Sequence, residues 1–554
     1  MIFYLIILAV GATLIGAILV RIQTQKKIKK IKEELKLQWA KPKVDGFDFE
    51  KIKKYSDASL GNSFHQLTEQ TLEDIDFQKL FAFVDRTTCK VGQQVLYKRM
   101  TQPGNDLINP LNRFINFFSE HEKIRDNVRF KMLSLSCPDA YYISSLLNKK
   151  LLARPKWLWT LALSLLVTFC LVILSFKYPI CIVLLLVPLT LNMLVHYWNK
   201  GNTYQFIRSF PQLNALIETA DYIICCHDEL SNESVKKSIA QLQSFKRKSV
   251  LIALSNKSGI EGELSQFGNY LSELVKSFLL LEVWGLFWIV KELESKQSLI
   301  ENLIEYTGEM DMSISILSLK AGELKTCEPQ LLNTVKTVTM KGAYHPLIEH
   351  CVSNDIHIAG KSVLITGSNM SGKSTFLRTF LINSILAQTI YTCFADEFIS
   401  PPLRQFSSLR IDDNLFQGKS YYFQEVSTIA TFLEASETPY QNLFVLDEVF
   451  KGTNTIERIA SAKAILSYLN KGDNIVLVST HDIELADLLQ NEYDLYHFAE
   501  SVENSELNFD HLLKPGPLTT RNAIKLLELA DYPAEVIEEA KKVSSQLSET
   551  SKNR

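Results

Sequence analysis

Apolar residues along this chain form long uninterrupted runs in its first part and short runs in its last part. The long runs cover 2–20 and 157–198, and the short ones cover 362–366, 442–446 and 474–480. A short apolar run between turn residues is typical of a strand that is buried on both faces of a parallel sheet. The pattern therefore predicts apolar helices early in the chain and an α/β domain at its C-terminal end.

The first apolar run is followed by Arg21 and the lysine-rich stretch 26–32. Nineteen residues (2–20) in a helix match the hydrocarbon thickness of a bilayer. A cleaved signal peptide is the alternative, but no basic segment precedes the run and no small-residue cleavage site closes it. We therefore expect an uncleaved transmembrane anchor with its lysine-rich end in the cytoplasm.

The second long run divides at Phe176-Lys-Tyr-Pro179 into two segments, 158–175 and 180–197, each of about 18 residues. Basic residues flank the pair on both sides, and only Lys177 lies between the segments. This asymmetry predicts a transmembrane hairpin with both flanks in the cytoplasm, and hence a multi-pass protein of the cell membrane with three spans and membrane lipid as a partner. A buried helical hairpin without a polar face is the alternative. The flanking basic residues are Lys149, Lys150, Arg154, Lys156, Lys200 and Arg208.

The remaining early segments carry helical periodicity. The stretch 111–128 predicts one amphipathic helix, and 204–324 predicts long helices with few glycines. Asp85 or Thr87 is expected to cap a helix that places Val91 and Val95 on one face.

The first short apolar run leads into Gly367-Ser-Asn-Met-Ser-Gly-Lys-Ser374, which fits G-x-x-x-x-G-K-[ST], and a helical pattern follows. Glycines at these positions let backbone N–H groups surround a phosphate chain, and the helix N-terminus favours the negative charge. Lys373 is expected to contact the β- and γ-phosphates, and the Ser374 hydroxyl to ligate Mg²⁺. The segment therefore predicts an ATP site.

The second and third short runs each end at residues suited to phosphoryl chemistry. Asp447 and Glu448 follow one run, about 80 residues after the glycine-rich loop, and His481 follows the other. We expect Asp447 on the Mg²⁺ side, Glu448 as the general base for the attacking water, and His481 beside the γ-phosphate. A structural histidine at a strand end is the alternative for His481 alone.

The composition excludes some classes of function but identifies none. A formal charge of −2 over 554 residues gives no overall basic field for nucleic acid, and nine cysteines without a C-x-x-C pair suit a reducing compartment. The triplet Cys225-Cys226-His227 lies in a helical apolar pattern, so a core position is favoured over metal binding.

Several separate motifs, in the right order, resemble the MutS family of DNA mismatch-repair ATPases over roughly residues 70–135 and 200–545. Compared with the family pattern, Ser368 and Ser371 replace the usual Pro and Gly of the loop. The motifs are Asp85-Arg-Thr with Gly92 and Pro103, Tyr344-His-Pro-Leu-Ile-Glu349 with Asn354-Asp355, the glycine-rich loop through Thr375, Asp447-Glu-Val-Phe-Lys-Gly-Thr-Asn-Thr455, Ser479-Thr-His481, Lys514-Pro-Gly516 and Ala530-Asp-Tyr-Pro-Ala-Glu-Val-Ile537.

The resemblance implies an ABC-like ATPase domain that forms a head-to-tail homodimer, with Ser420 reaching the partner's nucleotide. It implies a nucleotide-adjacent role for His511, and Asp412 and Asp413 resemble part of the same signature segment as Ser420, with one residue more before Gly418 than the family pattern has. The stacking aromatic that the family places before Asn354 is absent, since Cys351, Val352 and Ser353 stand there. The predicted ATP-binding set is Gly367, Ser368, Asn369, Met370, Ser371, Gly372, Lys373, Ser374, Thr375, Ser420 and His511, with Glu448, His481 and Lys373 catalytic and Ser374 and Asp447 on the metal.

The predicted fold class is a C-terminal α/β ABC-like P-loop ATPase domain and an all-α core and lever region interrupted by a transmembrane hairpin, after an N-terminal transmembrane helix. The resemblance implies DNA as a partner, but only about 50 residues separate the anchor from the core match, so no mismatch-reading domain is expected. A membrane motor without a DNA role and a transporter ATPase are the alternatives. The predicted boundaries are 1–20 for the anchor, 21–69 for a basic linker, 70–156 for the first part of the core, 157–198 for the hairpin, 199–340 for the second part of the core, 341–545 for the ATPase domain and 546–554 for a tail.

Overall fold

A computed structural model describes residues 2–44, 46–59, 63–147, 158–253, 278, 280, 290, 292–368, 371–410, 421–450, 454–503, 506–518, 528 and 532–552. The chain divides into two units. The first comprises 1–61, 84–98 and 111–322, and the second comprises 62–83, 99–110 and 323–554. Within the described residues the first unit is helical, whereas the second combines helices with two sheets.

The helices, in chain order, are α1 (Ile2–Leu37), α2 (Phe49–Ile52), α3 (Lys54–Ala58), α4 (Glu69–Asp74), α5 (Phe77–Val84), α6 (Lys90–Thr101), α7 (Asn112–Glu120), α8 (Glu122–Met132), α9 (Leu158–Ser175), α10 (Ile180–Cys226), α11 (Glu233–Ala253), α12 (Gln297–Lys320), α13 (Lys373–Thr389), α14 (Tyr421–Ser436), α15 (Thr455–Leu469), α16 (Ile483–Leu489) and α17 (Ala534–Lys552). Short 3₁₀ helices cover Leu133–Leu135, Pro138–Leu147 and Asp228–Leu230. The strands are β1 (Gln330–Leu331), β2 (Thr337–Ala343), β3 (Asn354–Ala359), β4 (Ser362–Thr366), β5 (Glu397–Ser400), β6 (Arg404–Ser408), β7 (Asn442–Asp447), β8 (Ile475–Thr480), β9 (Tyr493–Glu503) and β10 (Glu506–Pro515).

In the helical unit, α6 and α12 approach each other closely at two glycines. A Cβ atom at Gly92 would lie 2.2 Å from a carboxylate oxygen of Asp311, and one at Gly308 would lie 2.3 Å from a methyl group of Val95. Because the two helices lie so close, the Asp311 side chain accepts hydrogen bonds from the backbone amides of Thr88 and Cys89, just before α6 begins. The cap predicted at Asp85 or Thr87 is wrong, because Asp85 accepts from the Thr87 amide and the Gly92 amide in the first turn of α6 donates to Cys89 Sγ at 3.2 Å.

The single helix predicted over 111–128 is also wrong, because the structure has two helices there. The break falls at His121, whose φ of −113° and ψ of 63° are not helical. The buried side chains of the first helix are Ile115, Phe117 and Phe118.

The predicted transmembrane anchor and hairpin are not supported. A helix needs about 20 predominantly apolar residues to cross the hydrocarbon core, and within the residues that the structure describes no helix meets both the length and the apolarity that a crossing requires. The transmembrane part of the predicted fold class is wrong by this finding. The multi-pass membrane location and the lipid partner depended on the same spans and are withdrawn with them. Two helices, α9 and α10, do follow one another on either side of the turn at 176–179.

The central sheet of the second unit has six strands in the order β10–β9–β4–β8–β7–β6. Five of them run parallel, and β10 pairs antiparallel with β9 at the edge. Every described side chain of β4 and β8 is buried, as expected for strands with both faces covered. The predicted strands at 362–366, 442–448 and 474–480 are thus confirmed to within one residue.

A smaller sheet in the same unit has the order β1–β5–β2–β3. Its β3 leads directly into β4 of the central sheet, with the turn at 360–361 between them. The helix α13 follows β4 and is buried along most of its length. Together these elements place the loop between β4 and α13 at the carboxyl edge of the central sheet, where ligands of open α/β sheets bind.

Candidate functional site

The carboxyl ends of three neighbouring strands come together in register. Thr366, the last residue of β4, pairs with Thr480 of β8, and Ser479 of β8 pairs with Asp447 of β7. The residues that follow these positions are Gly367, Glu448 and His481. Parallel pairing therefore brings the three segments selected from the sequence to one edge of the sheet, although they lie far apart along the chain.

The glycine-rich loop depends on two backbone conformations that favour glycine. Gly372, which precedes α13, has φ +114°, and a Cβ atom there would lie 3.3 Å from His511 Nδ1. Gly367 has φ +155°, and its Cβ would lie 3.1 Å from the Phe498 carbonyl oxygen. Both positions are therefore restricted by conformation and by space.

Lys373 lies at the start of α13 and is buried, with 5% of its surface exposed. Its Nζ donates to the carbonyl oxygens of Gly367 and Ser368, each at 2.8 Å. The ammonium group is therefore held over the loop, where a phosphate group bound in the loop would compete for its three donors.

Ser374 and Asp447 are joined directly. The Ser374 hydroxyl donates to Asp447 Oδ2 at 2.6 Å, and the Ser479 hydroxyl donates to the other carboxylate oxygen. A hydroxyl and a carboxylate are hard oxygen ligands of the kind that Mg²⁺ prefers, and Mg²⁺ commonly takes its other ligands from water and phosphate. The pair therefore fits Mg²⁺. In the described part of the chain, no group of three or more His, Cys, Asp or Glu side chains forms a metal cluster.

Glu448 and His481 form the second contact of the site. His481 Nε2 lies 2.8 Å from Glu448 Oε1 and 3.3 Å from Lys373 Nζ. A carboxylate only accepts hydrogen bonds, so Nε2 carries the proton and donates it to Glu448. Glu448 also has φ 53° and lines the cavity described next.

A cavity of about 420 Å³ opens beside the loop, a volume in the range of small-molecule sites. The described loop residues Ser368, Gly372, Lys373, Ser374 and Thr375 line one part of it. The rest of the lining includes Ile348, His350, Cys351, Val352, Asn354, Phe498 and His511, together with residues of α13.

Ser368 and Ser371, the two departures from the family pattern of the loop, both form hydrogen bonds. The Ser368 hydroxyl donates to the carboxylate of Glu500 on β9. The Ser371 hydroxyl donates to the Ser368 carbonyl at 2.8 Å. One bond joins the loop to β9 and the other lies within the loop, and no sequence motif predicted the partner Glu500.

His511 lies on β10 with φ 52° and contacts the loop through Nδ1, which is 3.0 Å from the Ser371 carbonyl oxygen. Its position is held by the side chain of Asn354. Asn354 Nδ2 donates to the His511 carbonyl at 3.0 Å, and Asn354 Oδ1 accepts from the Leu513 backbone amide at 2.7 Å. His511 thus lies next to the loop. Asn354 is a positioning residue that sequence reasoning used only as a landmark.

Three residues of the predicted site, Asn369, Met370 and Ser420, lie outside the described residues, as do Asp412 and Asp413. The aromatic ring expected on the cavity wall near 351–353 is replaced by the smaller side chains of Cys351 and Val352. The described members of the predicted set line this cavity or contact residues that line it; they are Gly367, Ser368, Ser371, Gly372, Lys373, Ser374, Thr375, Asp447, Glu448, His481 and His511.

Comparison with known proteins identifies the surrounding domain. Residues 363–548 match the family model described as MutS domain V. The chain is also similar to proteins named DNA mismatch repair protein MutS. The protein from Thermus thermophilus is 32% identical over 38% of this chain and 26% of its own length. The one from Natronomonas pharaonis is 28% identical over 45% of this chain and 30% of its own length. The one from a Geobacillus species is 29% identical over 55% of this chain and 34% of its own length.

The family model covers most of the C-terminal segment of the α/β unit. The chain matches about a third or less of the length of each of these relatives. The comparisons therefore support the similarity of residues 363–548 to MutS domain V, and the activity of the whole relatives does not transfer with it.

Proposed function

We propose that this chain, which carries a MutS domain V, is a MutS-family protein that binds and hydrolyses ATP with Mg²⁺ at the carboxyl edge of its central sheet. The observation that carries the proposal is the contact of Ser374 with Asp447 at 2.6 Å beside the buried Lys373. A lysine, a hydroxyl and a carboxylate in this arrangement provide one contact for phosphate and two ligands for the metal that accompanies it.

The proposed roles follow from where each side chain lies. Lys373 would move from the loop carbonyls to the β- and γ-phosphates, and Ser374 and Asp447 would ligate Mg²⁺. Glu448 would accept a proton from the attacking water, and His481, already bonded to it, would orient that carboxylate beside the γ-phosphate. Bound ATP would supply the phosphoryl group, while the side chains named here would position it and provide the charges that stabilise its transfer.

The test of ATP binding is Lys373→Ala on the whole chain. A hydrogen bond to a charged group is worth about 1.5–3 kcal/mol, so we expect the affinity for ATP to fall by at least about tenfold. Equilibrium binding of a labelled ATP analogue measures it. Lys361→Ala is the matched control, since Lys361 is an exposed lysine in the turn before β4. Equal affinity of the Lys373→Ala variant and the wild-type chain would reject the site.

Dimerisation is part of the proposal and rests on the resemblance of Gly418-Lys-Ser420 to the segment that completes the partner's site in this family. If Ser420 acts in trans, ATP should shift the chain towards a dimer. Light scattering of the purified chain with and without ATP measures the mass, and Lys373→Ala should abolish the shift. A mass that stays constant at saturating ATP would contradict the dimer.

A role with DNA enters the proposal because the relatives are named DNA mismatch repair proteins. In this role the nucleotide state of the α/β unit would control how the chain engages DNA.

A further inference from the structure

A second cavity lies wholly within the helical unit and shares no lining residue with the first. Its volume is about 370 Å³, and its walls come from the end of α1 and the segment after it, the start of α6, and α8. Five basic side chains line it, and within the described residues no aspartate or glutamate does so. These basic residues are Lys41, Lys43, Arg86, Lys90 and Arg129.

Arg129 is the most informative of these residues because it is buried, with only 6% of its surface exposed. Its guanidinium lies 5.2 Å from the centre of the Trp39 ring. In the described part of the chain it makes no hydrogen bond and no ion pair, since Asp126, the neighbouring acid, is bonded to Arg125 at 3.3 Å. A buried charge without a hydrogen-bonded partner is unfavourable, so the group is suited to receive an anion from the cavity.

The two acids near the cavity wall are already engaged. Asp85 Oδ2 accepts from Lys43 Nζ at 2.8 Å, and Asp311 accepts the amides of Thr88 and Cys89. Both aspartates are fully buried behind the wall. Within the described residues, the side chains of Arg129 and Lys41 form no hydrogen bond or ion pair, so their positive charges act on the cavity, where low-dielectric walls strengthen the field.

Hydroxyl groups complete the lining. The Ser318 oxygen accepts a hydrogen bond from the Ala40 amide at 3.0 Å, so the Ser318 proton remains available to a ligand oxygen. A planar guanidinium, mobile ammonium groups and a hydroxyl donor together match the oxygens of a phosphate group.

We propose that this cavity binds a small phosphorylated molecule, with Arg129 as its central contact and Lys41 at the entrance. The volume lies in the range of small-ligand sites. A DNA duplex is disfavoured, because a rigid double helix cannot bring its phosphates to an arginine that is almost completely buried. The site is independent of the proposed ATP site, so either can fail without the other.

The test is calorimetric titration of the whole chain with inorganic pyrophosphate. We expect a pyrophosphate site that persists in Lys373→Ala and weakens at least about tenfold in Arg129→Gln, which keeps much of the side-chain volume. ATP affinity at the first site should be unchanged in Arg129→Gln. Circular dichroism confirms that the variant is folded.

Lys41→Ala provides a second probe that does not depend on the fold, because Lys41 is exposed. Exposed ion pairs contribute only weakly to binding, so a two- to fivefold loss of pyrophosphate affinity is expected. Lys36→Ala, an exposed lysine on α1 outside the cavity lining, is the control and should bind like the wild-type chain. Three results would overturn the proposal. Pyrophosphate affinity could be unchanged in both Arg129→Gln and Lys41→Ala, pyrophosphate binding could be lost only in Lys373→Ala, or a short DNA duplex could displace the bound pyrophosphate.

Discussion

Glu448 lies at the end of β7 in a backbone conformation that non-glycine residues rarely adopt. Its φ of 53° is in the left-handed region, and its amide donates to the Ser479 carbonyl at 3.0 Å. Such conformations typically cost about 1–3 kcal/mol and persist where neighbouring contacts fix them, often at functional sites. Here the result is a carboxylate that lines the cavity and is bonded to His481.

If Glu448 accepts the proton of the attacking water, Glu448→Gln should separate binding from hydrolysis. The amide keeps the shape of the side chain but cannot act as a base, so we expect ATP hydrolysis to fall by about 10²-fold or more. ATP affinity should remain, because Lys373 and Ser374 are unchanged. Phosphate release and ATP binding are measured on the same preparation.

The control for this substitution is Glu457→Gln, an exposed glutamate in the first turn of α15. It should hydrolyse ATP at the wild-type rate. A Glu448→Gln variant that matches the control would remove Glu448 from the reaction.

At the residue scale, the sequence predicted the contacts that motif spacing encodes and missed those that depend on folding. The proximity of Ser374 and Asp447 could be predicted, because each lies at or shortly after the carboxyl end of a strand of the same parallel sheet. The bond between Ser368 and Glu500 did not, because 132 residues separate them and neither lies in a shared motif. The support that Asn354 gives to His511 was missed for the same reason.

At the element scale, strands with continuous apolar runs could be predicted and strands with polar sequences could not. The strand β6 reads Arg-Gln-Phe-Ser-Ser, yet four of its five residues are buried. Two of its polar side chains donate hydrogen bonds inside the unit: Gln405 donates to Gln388 at 2.9 Å, and Ser407 donates to Asp74 at 2.7 Å. Buried polar side chains in this strand are stabilised by hydrogen bonds. A hydropathy pattern cannot predict a strand that is buried in this way.

The start of α6 depends on an acid from another helix. Asp311 is fully buried and accepts the Thr88 and Cys89 amides at 2.8 Å each. Burial raises the pKa of its carboxyl group, while these amide bonds act in the opposite direction. The substitution Asp311→Ala would leave two buried donors without an acceptor, at about 1–3 kcal/mol for each. We therefore expect a lower urea midpoint for the loss of helical circular dichroism.

The matched substitution is Glu301→Ala on the same helix, because Glu301 is partly exposed and caps nothing. Its midpoint should stay close to that of the wild-type chain, since substitutions away from such features usually change stability by about 0.5 kcal/mol or less. Equal midpoints for the Asp311→Ala and Glu301→Ala variants would show that the cap contributes little.

At the scale of the whole molecule, position along the chain is a poor guide to the grouping of elements. Residues 62–83 and 99–110 belong to the α/β unit, although 84–98 between them belongs to the helical unit. Long-range bonds explain the grouping: Asp74 accepts from the Leu409 and Arg410 amides at 3.0 and 2.8 Å, and Gln388 donates to the Gly104 carbonyl at 2.9 Å. Local patterns carry no sign of partners about 300 residues away.

Hydropathy was also misleading at this scale. Long apolar runs near the start of the chain and at 157–198 predicted three membrane spans, and the described helices do not meet the requirement for a crossing. The α/β part of the prediction survived, because it rested on several strands and on the residues at their ends rather than on the apolar character of single runs.

The central claim is that the loop at 367–374, together with Asp447, binds Mg-ATP for hydrolysis. Steady-state phosphate release by the whole chain, with Mg²⁺ and with EDTA, tests it most directly when wild-type and Asp447→Asn proteins are compared. We expect turnover that requires Mg²⁺ and falls by about tenfold or more in Asp447→Asn, because one ligand of the metal loses its charge. Turnover that continues in EDTA, or that Asp447→Asn leaves unchanged, would contradict it.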